Sequence, residues 1–152
     1  MNRSLISIKA ERRCIAVAVF RGGTLRYAEV LTLSSDPRAA ENSAVGFVNR
    51  NVERFEAAFA VLEDAVTADE SRSASLIAAL ERAIAAQGVP THRIGKLELF
   101  LNFAVRPLKT RKELHTIIVD FWPQLNSSDF HSSIMDAAAA GLFVQTEHRL
   151  LG

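Results

Sequence analysis

SLISIKAERRCIAVAVFRGGTLRYAEVLTLS, residues 4–34, is the stretch whose reading decides the fold. It reads as three strands joined by two tight connections. Ser4 to Ala10 is a short run that ends in the charged turn Glu11-Arg12-Arg13, and Cys14 to Phe20 is seven apolar residues rich in Val and Ile. Gly22-Gly23 separates this run from the next, and glycine reaches positive φ without steric cost, so the pair is a hairpin signal. Residues 24–33 alternate in part, with Leu25, Tyr27, Leu31 and Leu33 on one parity and therefore expected on one face. The unbroken apolar run of the second strand predicts cover on both of its faces, inside a sheet rather than at its edge.

Beyond this meander the pattern turns mostly helical. Ser34-Ser35-Asp36-Pro37 is a helix start, with Asp36 able to cap free amides and Pro37 suited to the first helical position. Val45, Val48, Val52 and Phe55 then form an apolar stripe, with Asn49, Arg50, Asn51, Glu53 and Arg54 as the polar residues between them. EAAFAVLEDA, residues 56–65, is read as a fourth strand, although its alanines keep a helix open. A second helix starts through Ser71 or Ser73, buries Leu76, Ile77, Leu80 and Ile84, and stops at Gln87-Gly88-Val89-Pro90. Alternation over residues 96–105, KLELFLNFAV, predicts the fifth strand. Thr110 and Glu113 have the spacing of a capping box, opening a helix that carries Leu114, Ile117, Ile118 and Phe121 and ends near Trp122-Pro123. The last helix contains four consecutive alanines, Ala137 to Ala140, which favour helix and allow close packing against a sheet. The order β-β-β-α-β-α-β-α-α implies an α/β fold: a mixed five-stranded sheet, antiparallel first and parallel later, flanked by helices.

The chain has 152 residues, 49% of them hydrophobic and 23% charged, which suits a globular protein and is read as a single domain, 1–152. A net charge of +1 gives no general drive toward nucleic acid and leaves room for a local basic patch. The one cysteine, Cys14, excludes an internal disulfide and reads as a buried small hydrophobe. The opening MNRSLISIKAERR has too short an apolar stretch for a signal peptide, and no run is long enough to span a membrane, so the expected location is cytoplasmic. The four histidines, His92, His115, His131 and His148, show no metal-ligand spacing, and there is no glycine-rich phosphate loop.

Four places resemble the ribonuclease-H-like superfamily, and within it the RuvC-type Holliday-junction resolvases. They are the opening meander, AVLED at residues 60–64, PLKTRKELHTII at residues 107–118, and SSIMDAAAAGLFVQT at residues 132–146. The resemblance implies phosphodiester hydrolysis by two magnesium ions, held by carboxylates from strand one, strand four and the last helix. Carried over by position, Glu63 matches the strand-four glutamate and Asp136 the last-helix aspartate, while Ser133 stands where these enzymes often have a further acid. Lys9 falls on the strand-one aspartate. An ammonium has only donors and does not ligate a metal. The implied consequence is a salt bridge from Lys9 to Glu63 or Asp136 in a degenerate site, with no catalysis and no metal expected.

Without the resemblance, Glu63 and Asp64 read as solvated residues after a strand, Asp136 as a helix-surface acid, and Lys9 as an exposed strand end. Glu11 is a candidate substitute ligand. Arg12, Arg13, Arg106, Lys109, Arg111 and Lys112 form a candidate basic rim for the phosphates of DNA or RNA. The first functional expectation is therefore a non-catalytic nucleic-acid-binding or scaffold domain. Two alternatives stand beside it: a magnesium-dependent nuclease built on Glu63 and Asp136 with Glu11 and Asp64, and a homodimeric protein-interaction module without nucleic acid.

Overall fold

The seven apolar residues from Cys14 to Phe20 are all buried, as a strand sandwiched between two helical layers requires. The computed structural model describes residues 4–64, 71–95, 108, 110–125 and 132–147. In chain order these form β1 (Ser4–Ala10), β2 (Cys14–Arg21), β3 (Thr24–Thr32), α1 (Pro37–Arg54) and β4 (Ala57–Glu63). They continue as α2 (Ser71–Ala86), β5 (Thr91–Ile94), α3 (Arg111–Phe121), a 3-10 turn (Pro123–Leu125) and α4 (Ser132–Glu147). The sheet order is β3-β2-β1-β4-β5. Its first three strands are antiparallel, and β4 and β5 join in parallel. Among the described residues no helix is long and apolar enough to cross a membrane.

Local sequence explains most of these boundaries. Gly22 turns the β2–β3 hairpin at φ 60° and Gly88 ends α2 at φ 76°, both in the region that favours glycine. The Asp36 carboxylate accepts the Ala39 amide at 2.9 Å to cap α1, and the Thr110 hydroxyl accepts the Glu113 amide at 3.1 Å to cap α3.

Two expectations need correction, and a third falls on residues that are not described. The stretch 96–105 lies outside the described residues, and the fifth strand of the sheet is Thr91–Ile94. Four residues with only Ile94 fully buried give an edge strand too little periodicity to read. Leu25 does not share a face with Tyr27 and Leu31: it packs with the α4 layer, and they pack with the α1 layer. The register shift between Val19 and Phe20, where Val19 faces Tyr27 and Phe20 faces Leu25, inserts an extra residue and reverses the parity. Finally, α1 buries Phe47 and also Asn51, whose amide donates to the Phe47 carbonyl at 2.9 Å, so a polar position belongs to the buried side.

The two faces have separate cores. Ile6, Ile8, Val17 and Leu62 meet α1 and α2, whereas Leu5, Phe20 and Val61 meet α3 and α4. Alternation then puts Ser7 and Lys9 of β1, with Glu63 of β4, on the α3–α4 face. Three contacts fix how α4 lies there. Ser133 meets Cys14 at the start of β2, Gly141 lies over Ser7 and Phe20, and the Gln145 amide donates to the Gly22 carbonyl at 2.8 Å. The helix therefore runs along β2 and against β1, bringing its first turns to the carboxyl end of β1.

A Cβ at Gly141 would fall 2.5 Å from Phe20 Cε2 and 3.1 Å from Ser7 Cβ. The Phe20 ring is fully buried and packs against Trp122 at 5.3 Å between centroids, so it has little room to yield. Overpacking of this kind costs about 1–3 kcal/mol, against a helix-propensity gain of about 1 kcal/mol for alanine over glycine. Gly141→Ala is expected to be destabilising by about 1–2 kcal/mol in urea unfolding, the difference between those two effects at the severe end. An unchanged or raised midpoint would refute this close approach.

Candidate functional site

β1 and β4 pair in parallel through Ser7 with Val61 and Ile8 with Leu62. The next position along each strand is Lys9 on one and Glu63 on the other. The Lys9 ammonium donates to Glu63 Oε2, with only 12% of the lysine side chain and 4% of the glutamate side chain exposed. An ion pair closes the carboxyl ends of the two strands.

Asp136, on the second turn of α4, faces the same end. Its side chain is 7% exposed, and both carboxylate oxygens are engaged: Oδ1 lies 2.7 Å from His115 Nε2, and Oδ2 accepts from Arg111 Nη2. The same Nη2 also donates to Glu11 Oε1 at 2.8 Å, so Arg111 bridges the β1–β2 turn and α4. Arg111 and His115 are four residues apart on α3, and that spacing presents both to one carboxylate. Cys14 Sγ lies 3.5 Å from Ser133 Oγ and 3.8 Å from Glu11 Oε2, beneath the cluster.

Burial alone would push the Asp136 carboxyl up. The hydrogen bonds from His115 and Arg111, with the charges of Arg111 and Lys9, outweigh it and hold the group below the ordinary carboxylate range. For Arg111 burial works against the charge, yet Asp136 and Glu11 together raise its pKa further. Desolvation is the main reason the Cys14 thiol is pushed up, which disfavours the nucleophilic thiolate.

Lys9, Glu11, Glu63 and Asp136 thus lie together, and Glu63 and Asp136 are buried rather than solvated. Asp64 stands apart, paired with Arg93 at 2.5 Å. Of the basic rim, Arg12, Arg13 and Lys112 are exposed, whereas Arg111 is committed to two carboxylates. Arg106 and Lys109 lie outside the described residues, as do His131 and His148. His115 is the participant that sequence reasoning passed over. The signal was its spacing from Arg111, not any metal-ligand pattern. Among the described residues no group of three or more His, Cys, Asp or Glu side chains is arranged to hold a metal ion.

An antiparallel meander, two further parallel strands, and a last helix laid along the sheet with its first turns at the strand ends match the ribonuclease-H-like fold. In particular, the structure resembles Thermus thermophilus RuvC, with a TM-score of 0.81 at 16% identity over 97% of this chain and 96% of that one. The same protein in complex with Holliday junction substrate gives 0.79, also at 16% identity, over 97% and 96%. Fowlpox virus resolvase with its substrate Holliday junction DNA gives 0.63 at 14% identity over 95% and 98%. At such identities the likeness establishes the fold. No family model matches the chain, and no curated protein does.

Two outcomes follow for stability. Lys9→Ala strands a buried carboxylate and is expected to cost about 3–5 kcal/mol in urea unfolding, whereas Lys9→Met with Glu63→Leu recovers most of that loss. A cost below about 1 kcal/mol for the single change would mean that the pair is solvated. The Asp136 carboxyl is depressed in the folded chain. Its contribution is therefore complete above the unfolded-state value of about pH 4 and is lost as pH falls through the lower folded-state value. Unfolding free energy against pH should accordingly fall less steeply below about pH 4 in Asp136→Asn than in the wild type.

Proposed function

We propose that this chain is a RuvC-like, ribonuclease-H-like domain that binds nucleic acid and does not hydrolyse phosphodiesters by the two-metal route. The Lys9–Glu63 ion pair carries this reading. A divalent cation needs oxygen ligands with free lone pairs. Here a fixed ammonium occupies the end of β1, Glu63 is bound to it, and Asp136 is bound by Arg111 and His115. The ammonium would repel the ion and offers it no lone pair. This donor set does not fit a magnesium pair.

Two considerations support nucleic acid as the partner. RuvC and the fowlpox virus resolvase, whose folds this chain shares, are each described in complex with Holliday junction DNA. Arg12, Arg13 and Lys112 stand exposed on the turn and the helix that frame the cluster, within reach of phosphates in solution. Lys109 belongs to the same rim by sequence. Contacts of this kind position a nucleic acid without reading its bases.

A second reading, a magnesium-dependent nuclease, is favoured by one observation: Glu11 and Asp136 share the Arg111 guanidinium, so two acids lie side by side there with Glu63 nearby. Titrating Mg²⁺ and Mn²⁺ against branched and linear DNA separates the readings. No nicking is expected from the wild type, together with binding that weakens as salt rises. Lys112→Glu should reduce the salt slope by about one. Cleavage that vanishes in Glu63→Ala and Asp136→Ala would overturn the non-catalytic reading. Failure to bind DNA or RNA at any salt concentration would favour a protein-interaction module instead.

A further inference from the structure

Alongside the ion-pair cluster, and sharing Arg111 and His115 with it, α3 borders a groove of roughly 540 Å³. Arg111 and Lys112 line one end, His115 and Thr116 follow, and Val119 and Asp120 line the other end with Met135 of α4 alongside. We propose that this groove seats one unpaired nucleotide of a DNA strand, its phosphate at Arg111 and Lys112 and its base along Val119 and Met135 toward Asp120. The proposal rests on the nucleic-acid reading above and names the feature of the nucleic acid that the site selects.

Three observations carry it. The first is size: the volume lies within the range of about 300–1,000 Å³ usual for small-molecule sites, and a single nucleotide fills such a space. The second is polarity. From Lys112 to Asp120 is eight residues of helix, about 12 Å along the axis, with cations at one end and a carboxylate at the other. A nucleotide of adenine, cytosine or guanine has the matching asymmetry, with an anionic phosphate at one end and an exocyclic amino donor at the other. The apolar Val119 and Met135 between them suit the face of a base, and methionine adapts to flat aromatic partners.

The third observation is preorganisation at the phosphate end. Arg111 Nη2 is anchored to Glu11 and Asp136, which fixes the guanidinium plane. The guanidinium is therefore held in one orientation at the end of the groove, so that little side-chain entropy remains to be lost on binding. A base-paired nucleotide is denied the groove because its base is stacked within the duplex, whereas a bulged or flipped nucleotide enters at a lower cost.

The test uses the full chain and three fluorescent DNA probes: a perfect duplex, the same duplex with one bulged 2-aminopurine, and a single strand. The wild type is expected to bind the bulged duplex about tenfold more tightly than the perfect one, the order of effect of one seated base. The 2-aminopurine emission should change on binding. Thr116→Glu, on the exposed face of α3, and Asp120→Lys, which inverts the polarity of the groove, should each remove the preference while binding to the perfect duplex persists. Equal affinity for the bulged and perfect duplexes in the wild type overturns the inference and leaves the nucleic-acid reading standing, as does a preference that survives in both variants. AMP tested alone by calorimetry should bind far more weakly than the bulged duplex. Tight AMP binding without a bulge preference would assign the groove to a free nucleotide and overturn the strand-borne one. Failure of all three DNA probes to bind would overturn both readings together.

Discussion

Glu63 and Asp136 carry carboxylates to places where only 4% and 7% of their side chains remain exposed, and a charge so buried must be met by cations or donors at close range or lose its ionisation. The surroundings of both acids follow from that requirement. Lys9 meets Glu63 from the adjacent strand. Arg111 and His115 meet Asp136 from a helix packed against its own. Removing a cation from this set leaves a buried anion rather than a lost surface contact, which makes each member worth more than an exposed ion pair.

Backbone geometry makes these meetings possible. Parallel pairing of β1 and β4 brings Lys9 and Glu63 to adjacent strand ends on one face, and a slip of one residue would turn one of them to the opposite core. The close approach of α4 at Gly141 then sets the height of Asp136. From Gly141 back to Asp136 is five residues, about 7.5 Å of helix, and from Ser7 forward to Lys9 is two residues, about 6.6 Å of strand. With the helix running against the strand, the two displacements nearly coincide. The absence of a side chain at one residue thus places an acid about one and a half turns away.

The legible parts of the sequence were those written in local pattern. The meander, the Gly22-Gly23 hairpin, the Asp36 and Thr110 caps and the Gly88 stop each depend on residues within a few positions of one another, so one sequence displays them. The bulge that turns Leu25 to the other face depends on how β3 registers on β2, and β5 depends on β4 being present to pair with it. Neither leaves a periodic trace. At the site, Lys9 at the strand end was legible as a cation among acids, but its choice between Glu63 and Asp136 was not. Strand register decides the hydrogen bond for Glu63, while the lysine charge is still felt at Asp136. The partnership of His115 with Asp136 joins residues 21 positions apart on separate helices, and only the packing of α3 on α4 creates it.

Lys9 at the end of β1 sets the charge balance of the centre. Three carboxylates, Glu11, Glu63 and Asp136, face Lys9 and Arg111 directly, and His115 supplies a further hydrogen bond. With a carboxylate at residue 9 and no bound ion, the same strand ends would hold one more negative charge and one fewer positive charge. The acids would then repel one another and any approaching phosphate. The ammonium removes that repulsion permanently, so a polyanion meets a nearly balanced centre whatever the divalent-ion concentration. Neutralisation by a fixed side chain also holds the strand ends in one geometry, since Lys9 and Arg111 each tie two elements together. The cations that fill the site are therefore also what keep it rigid.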